Sequence, residues 1–156
     1  MSGRTHVLIP AGIAAILFDS DPLLVLTAGI AGLVPDIDEP YSVIGQRLWF
    51  LAWWLKYLCG HRTMSHSLLM VGVVSVLGLL VLIPPVYVCA IAIGLGSHLV
   101  LDGLSGGVQL WWPSKHRWVI GRYPIYGTTD RLLMVGGMLL FLVSWWSRMQ
   151  SVVSPQ

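Results

Sequence analysis

Charge is scarce in this chain. Lys, Arg, Asp and Glu make up 10% of its 156 residues, against about 25% in an ordinary soluble domain. That shortage argues against a soluble globular protein. Basic excess is small as well: the formal net charge is +2, well short of the balance of a nucleic-acid binder, so no direct nucleic-acid partner is expected. Cysteine is nearly missing. Cys59 lies beside a histidine-rich stretch and Cys89 inside an apolar run, so a disulfide framework is not expected. There is no internal repeat and no low-complexity tract.

Apolar residues are what the chain does have, at 56%, and they come in blocks. Five segments stand out: His6 to Phe18, Pro22 to Val34, His66 to Ile83, Val86 to Leu104 and Leu132 to Trp146. The first two are short for a ~30 Å hydrocarbon core; the last three approach spanning length. Arg4 ahead of the first block resembles the start of a signal peptide, but no small-residue cleavage pattern precedes Asp19-Ser20-Asp21, so the segment is expected to be retained. Asp19-Ser20-Asp21 and Ile83-Pro84-Pro85 are tight connections, which makes segments one and two, and three and four, antiparallel pairs. Pro22 and Pro85 suit first helical turns. The expected fold is all-α: a polytopic membrane bundle of about five helices, the short first pair being a re-entrant or tilted hairpin. The piece "LWFLAWWLKYL" adds an interfacial helix. All 156 residues read as one domain.

Counting charges by side gives an orientation. The N-terminus and the loops 35–65 and 105–131 share one face; of the nine Lys and Arg, only Arg148 lies on the other. The positive-inside tendency makes the first face cytoplasmic.

The titratable residues fall on that same face. His6 opens the first segment. Asp36 and Asp38, in "VPDIDEP", close the second. His61 and His66, in "GHRTMSHSLL", open the third. His98 and Asp102, in "GSHLVLDGLS", close the fourth. Ionisable groups at a membrane edge are costly and point to function. Neutral imidazole and carboxylate suit Zn²⁺, Mn²⁺ or Fe²⁺, and His98 and Asp102, four apart, share a helix face. His6, Asp36, His66, His98 and Asp102 are the expected metal ligands. Plainer roles stand beside these. Asp36 and Asp38 also suit a turn, a buried histidine can simply bond a backbone carbonyl, and Ser65 reads as the cap of the third helix. His116 reads as part of a basic face and Cys59 only weakly as a ligand. Gly94, Gly96, Gly136 and Gly137 read as close-packing positions.

The motifs "THVLIPAG", "PDIDEPYSVIG", "HRTMSHSLL" and "GSHLVLDGLSGGVQLWWP", in order over residues 4 to 113, resemble the YdjM-type family. Its members are described as inner-membrane, metal-dependent hydrolases and also as LexA-binding. Ser65 stands where the family usually has Thr. More distantly the pattern is similar to zinc-dependent phospholipase C and the S1/P1 nucleases, whose ligand order matches His6, Asp36, His66, His98 and Asp102. Those enzymes also use an N-terminal Trp and a later His-x3-Glu, which this chain lacks, so the resemblance implies one or two ions, most simply zinc.

The expected function is metal-assisted hydrolysis of a phosphoester on a lipid or lipid-linked substrate. Asp36 or Asp38 would bridge ions or act as base. Arg62, with His61, would meet the phosphate. Lys115, Arg117 and Arg122 would hold an anionic head group. The rival is a non-enzymatic membrane protein with a structural metal that docks a soluble partner such as a repressor. A transporter is disfavoured, because the His and Asp residues gather at one end and not along a path.

Overall fold

The computed structural model describes residues 1–153. It contains six helices: α1 (Gly3–Leu17), α2 (Pro22–Ala31), α3 (Trp49–Cys59), α4 (Leu68–Leu80), α5 (Pro85–Leu104) and α6 (Thr128–Val153). Two 3₁₀ turns, Val34–Asp38 and Met64–His66, lie at the site end. Among the described residues there is no strand, only the isolated bridges Ser105–Arg122 and Val108–Trp118.

Local chemistry sets several helix starts. Ser2 caps α1. Asp21 caps α2, accepting from Leu23 N at 2.9 Å and Leu24 N at 3.1 Å, with Pro22 in the first turn. The cap of α4 is Ser67, which accepts from Met70 N at 3.2 Å, and not Ser65. Residues 64–66 are taken into the 3₁₀ turn, so the helix begins two residues later than the apolar pattern implied. It also ends early, where Leu82 turns with φ +63 ahead of Pro84. Conversely, α6 runs past both expected ends: no proline interrupts Thr128–Val153, and the Gly136-Gly137 pair stays within the helix.

Two helices have the length and composition to cross a membrane. They are α5, of 20 residues, and α6, of 26, or ~30 and ~39 Å of helix. The 15-residue α1 and 13-residue α4 are shorter apolar helices, and α2 has 10 residues. The outward side chains are apolar: Val76, Leu80, Leu139, Val143 and Trp146 are all exposed. So is the aromatic face of α3, with Trp49, Phe50, Trp53, Trp54 and Tyr57. The interior at one end is the reverse, a buried set of His, Asp, Ser and Thr.

Glycine brings the backbones together at two crossings. A Cβ on Gly94 would sit 2.4 Å from Ala28 O, and one on Gly137 2.7 Å from Leu8 O. Those contacts join α5 to α2 and α6 to α1. Gly96 and Gly136, expected to act likewise, have nothing within 4 Å; they lie on the outward sides of their helices. The tight turn after α1 also packs on α6: Ser144 Oγ donates to Ala15 O at 2.7 Å, and Arg148 to Asp19 O at 2.8 Å. The ends of α2 and α5 and the starts of α1, α4 and α6 therefore converge at the opposite end of the molecule.

Candidate metal centre

Two histidines from different elements meet at that end. His98, four turns into α5, and His66, in the 3₁₀ turn before α4, are both fully buried, and their Nε2 atoms are 3.1 Å apart. Around them stand two carboxylates. Asp36 Oδ1 is 3.6 Å from each Nε2; Asp102 Oδ2 is 3.5 Å from His66 and 3.8 Å from His98. These four residues place one ligand atom each within 4.8 Å of the others.

What lies behind each ring fixes which nitrogen faces inward. His98 Nδ1 donates to Gly32 O at 2.6 Å. The Nε2 lone pair of the neutral ring then faces the cluster. The plain role foreseen for a buried histidine, a bond to a backbone carbonyl, thus occupies one nitrogen and frees the other. His66 Nδ1 faces Ser65 Oγ at 3.0 Å and Asp38 Oδ2 at 3.4 Å. A carboxylate behind an imidazole is the usual support of a metal-bound histidine. Ser65, which is not a helix cap, donates its hydroxyl to Asp38.

Asp38 is the hub of this support. It is buried, accepts from His61 Nδ1 at 2.7 Å and from Arg62 N at 3.3 Å, and holds Ser65 and His66. Burial opposes its ionisation, but the hydrogen bonds from His61 and His66 outweigh that and hold its carboxyl well below the usual range. Asp36 follows the same pattern: burial acts against the charge, and His66, His98 and His6 lower its pKa on balance. His66 is displaced the other way. Burial disfavours its cationic form, yet the bonds to Asp36 and Asp38 raise it to about 9.

Asp102 has nitrogen groups around both of its oxygens. Its Oδ1 lies 3.1 Å from the Met1 amine and 3.3 Å from His6 Nε2. Its Oδ2 lies 2.8 Å from Arg62 Nε, but off the N–H direction, so both atoms are buried without a hydrogen bond. The Arg62 guanidinium also donates to Ser105 O and Oγ at 3.3 and 3.2 Å. Arg62 has φ +60, a left-handed backbone that costs a non-glycine residue about 1 kcal/mol or more. Asp38 holds its N–H, and Gln109 N donates to its carbonyl.

The donor set fits a divalent transition metal. Two imidazole Nε2 atoms and two carboxylate oxygens gather at one spot, and Asp102 Oδ2 is a buried oxygen with no hydrogen-bond donor. Such a set of acceptors repels itself unless a cation or proton lies between them. A second grouping, Asp38, His61 and His66, fits less well, because its atoms already satisfy one another by hydrogen bonding.

The expected residues thus divide. Asp36, His66, His98 and Asp102 form the cluster. His6 lies beside it, stacked on His98 at 3.8 Å and paired to the far oxygen of Asp102; its Nδ1 has no partner. Asp38 and His61 stand one layer out. His116 is exposed, and neither it nor Cys59 belongs to either grouping. Lys115, Arg117 and Arg122 are exposed in the 105–131 loop. Sequence reasoning missed Asp130. It is buried at the start of α6 and accepts from Ser2 N at 3.0 Å, Thr5 Oγ1 at 2.6 Å and Tyr126 N at 3.0 Å, pinning α1 to α6 beside the cluster. Its signal was available: it is the only acid in the last apolar block and its flanks.

Asp36, His61, Arg62 and Asp102 line a cleft of about 270 Å³ that opens outward past Tyr41 and Tyr126. A family model described as YdjM inner membrane protein matches residues 1–154. The chain belongs to the YdjM inner membrane protein family. The uncharacterized protein YvsG of Bacillus subtilis is 31% identical over 147 residues, covering 90% of this chain and 91% of that protein. The inner membrane protein YdjM of Escherichia coli is 36% identical over 110 residues, or 65% of this chain and 54% of that protein, and its counterpart in Shigella flexneri matches equally. The chain thus spans about half the length of these two YdjM proteins. No solved structure matches significantly. Family membership and the two long apolar helices make this a membrane protein.

Proposed function

We propose that this family member is a metal-dependent hydrolase that cleaves a phosphoester of a lipid or lipid-linked substrate at the cytoplasmic interface. The observation that carries the reading is the position of the four-atom cluster, at the wall of a cleft and not sealed in the core. Asp36 is one-fifth exposed there, whereas His66, His98 and Asp102 are buried. Catalytic sites keep an open position; structural ones are closed. Asp36, His66, His98 and Asp102 would hold the ion, most simply zinc, with manganese or iron as alternatives. When bound, such an ion supplies Lewis acidity and an acidified water.

The chain's own residues supply the rest. His61 donates Nδ1–H to Asp38, which leaves its Nε2 free to move a proton in the cleft. Asp38 fixes the rings of both His61 and His66 from one buried carboxylate. Asp36, at the mouth, is the second candidate base. Arg62, held by Ser105, places a delocalised positive charge beside Asp102 where phosphate charge would develop. His6 steadies Asp102 from behind.

The rival reading is a structural metal in a membrane protein that docks a soluble partner, such as a repressor. Four protein ligands are enough for a closed tetrahedral site, which favours it. Purified protein in lipid nanodiscs, assayed with phosphomonoester and phosphodiester lipids, separates the two. Turnover that requires metal and is lost in His98→Ala supports the hydrolase. A coordinatively closed metal by X-ray absorption, with no turnover, supports the structural role.

A further inference from the structure

Leu33, between α2 and the 3₁₀ turn Val34–Asp38, lines three neighbouring cavities. The first is the polar cleft over the metal cluster. The second, of about 350 Å³, shares Gly3, Leu33 and Val43 with it and is bordered by Arg4. The third, of about 420 Å³, shares Val7, Leu8 and Leu33 with the second. The shared walls set the three side by side in one row. It begins at Asp36 and Asp102, passes Arg4 and descends between α1 and α2 to Phe141 and Trp145 on α6.

Polarity changes along the row as it does along a lipid. Titratable groups line the first part; the exposed guanidinium of Arg4 marks the junction; the wall beyond is entirely apolar. Depth agrees as well. Phe141 and Trp145 lie 11 and 15 residues along α6 from Asp130, ~16 and ~22 Å of helix, which spans one leaflet of a ~30 Å hydrocarbon core. Gly29 keeps the floor low: a Cβ there would meet Val7 Cγ1 at 3.3 Å.

We propose that this row of cavities seats one hydrocarbon chain of the substrate, with its phosphate between Arg4 and Arg62 at the cluster. The inference rests on the lipid-hydrolase reading and assigns that substrate's chain a place. A chain already in the bilayer gains little hydrophobic energy by entering. The groove's effect is therefore positional: it sets how far the phosphate reaches toward Asp36 and Asp102, and it selects for chain shape.

The test is photolabelling in phosphatidylcholine nanodiscs, using hexadecyl phosphate with a diazirine near the chain end on metal-loaded protein. Labels are expected to gather on Leu26, Phe141 and Trp145. Excess unlabelled hexadecyl phosphate should suppress them, and hexadecanol should not. Leu26 is 58% exposed, so Leu26→Trp is expected to fold and keep its metal while groove labelling drops to the level of Val76 and Leu80 on the outer face of α4. Gly29→Leu, which raises the floor, should act the same way. Labels spread evenly over the outward faces of α2, α4 and α6, or labelling unchanged in Leu26→Trp, would overturn the chain site even with metal bound. Groove labelling in a wild-type protein that binds no metal would support the chain site and defeat the hydrolase reading.

Discussion

His66 and His98 bring their Nε2 atoms to 3.1 Å, each ring tethered from behind through Nδ1. Two lone pairs at that distance need a cation or a proton between them. In chelator-treated protein the proton on His66 fills that role, with its pKa raised to about 9 by Asp36 and Asp38 against the pull of burial.

A pH dependence follows for the chelated protein. The folded pKa of His66 lies above the unfolded value, so its contribution to stability is full below about pH 6.5 and lost as pH rises through about 9. Its size is on the order of 3 kcal/mol. Thermal unfolding in detergent, followed from pH 6 to 10, should show the chelated protein weakening over that interval. Metal-loaded protein should not follow that curve, because the ion takes the proton's place. Parallel curves would contradict this account.

Asp38→Asn tests the support behind the ligands. The amide keeps the shape but removes the charge facing His61 and His66. Loss of such a carboxylate lowers metal affinity by about 10–100-fold. Competition with a chromophoric chelator measures it. By contrast, His61→Gln should leave affinity near wild type and lower turnover, because His61 stands outside the four-atom cluster.

Glycine positions that look alike in the sequence should separate in stability. Gly94→Leu forces side-chain atoms into Ala28 O and Ala31, and overpacking of this kind costs about 1–3 kcal/mol or more. Gly96→Leu, two residues on, meets open space and should leave the melting temperature near wild type. Equal melting temperatures would refute the α2–α5 close approach.

Much of the clustering was legible because each of its four residues sits near an element end that the apolar pattern marks. Asp36 follows α2, His66 precedes α4, and His98 and Asp102 share a face four residues apart. Ser65 was misassigned because a serine before an apolar run looks the same whether it caps a helix or bonds a carboxylate. Only the 3₁₀ turn, which shifts the cap to Ser67, separates the two. Asp38 looked like a turn residue because its partners, His61, Ser65 and His66, are more than 20 residues away. Gly94 and Gly96 could not be told apart without knowing which side of α5 faces α2. The five-span expectation rested on apolar block length, whereas α1, α2 and α4 close as shorter helices at Phe18, Gly32 and Val81.

The most direct test of the central claim is the metal content of purified protein, by plasma mass spectrometry, for wild type and for His98→Ala and Asp102→Ala. The account predicts a stoichiometric transition metal in the wild type and its loss in both variants, each still folded by circular dichroism. A wild type without such a metal, or variants that retain it in full, would contradict it.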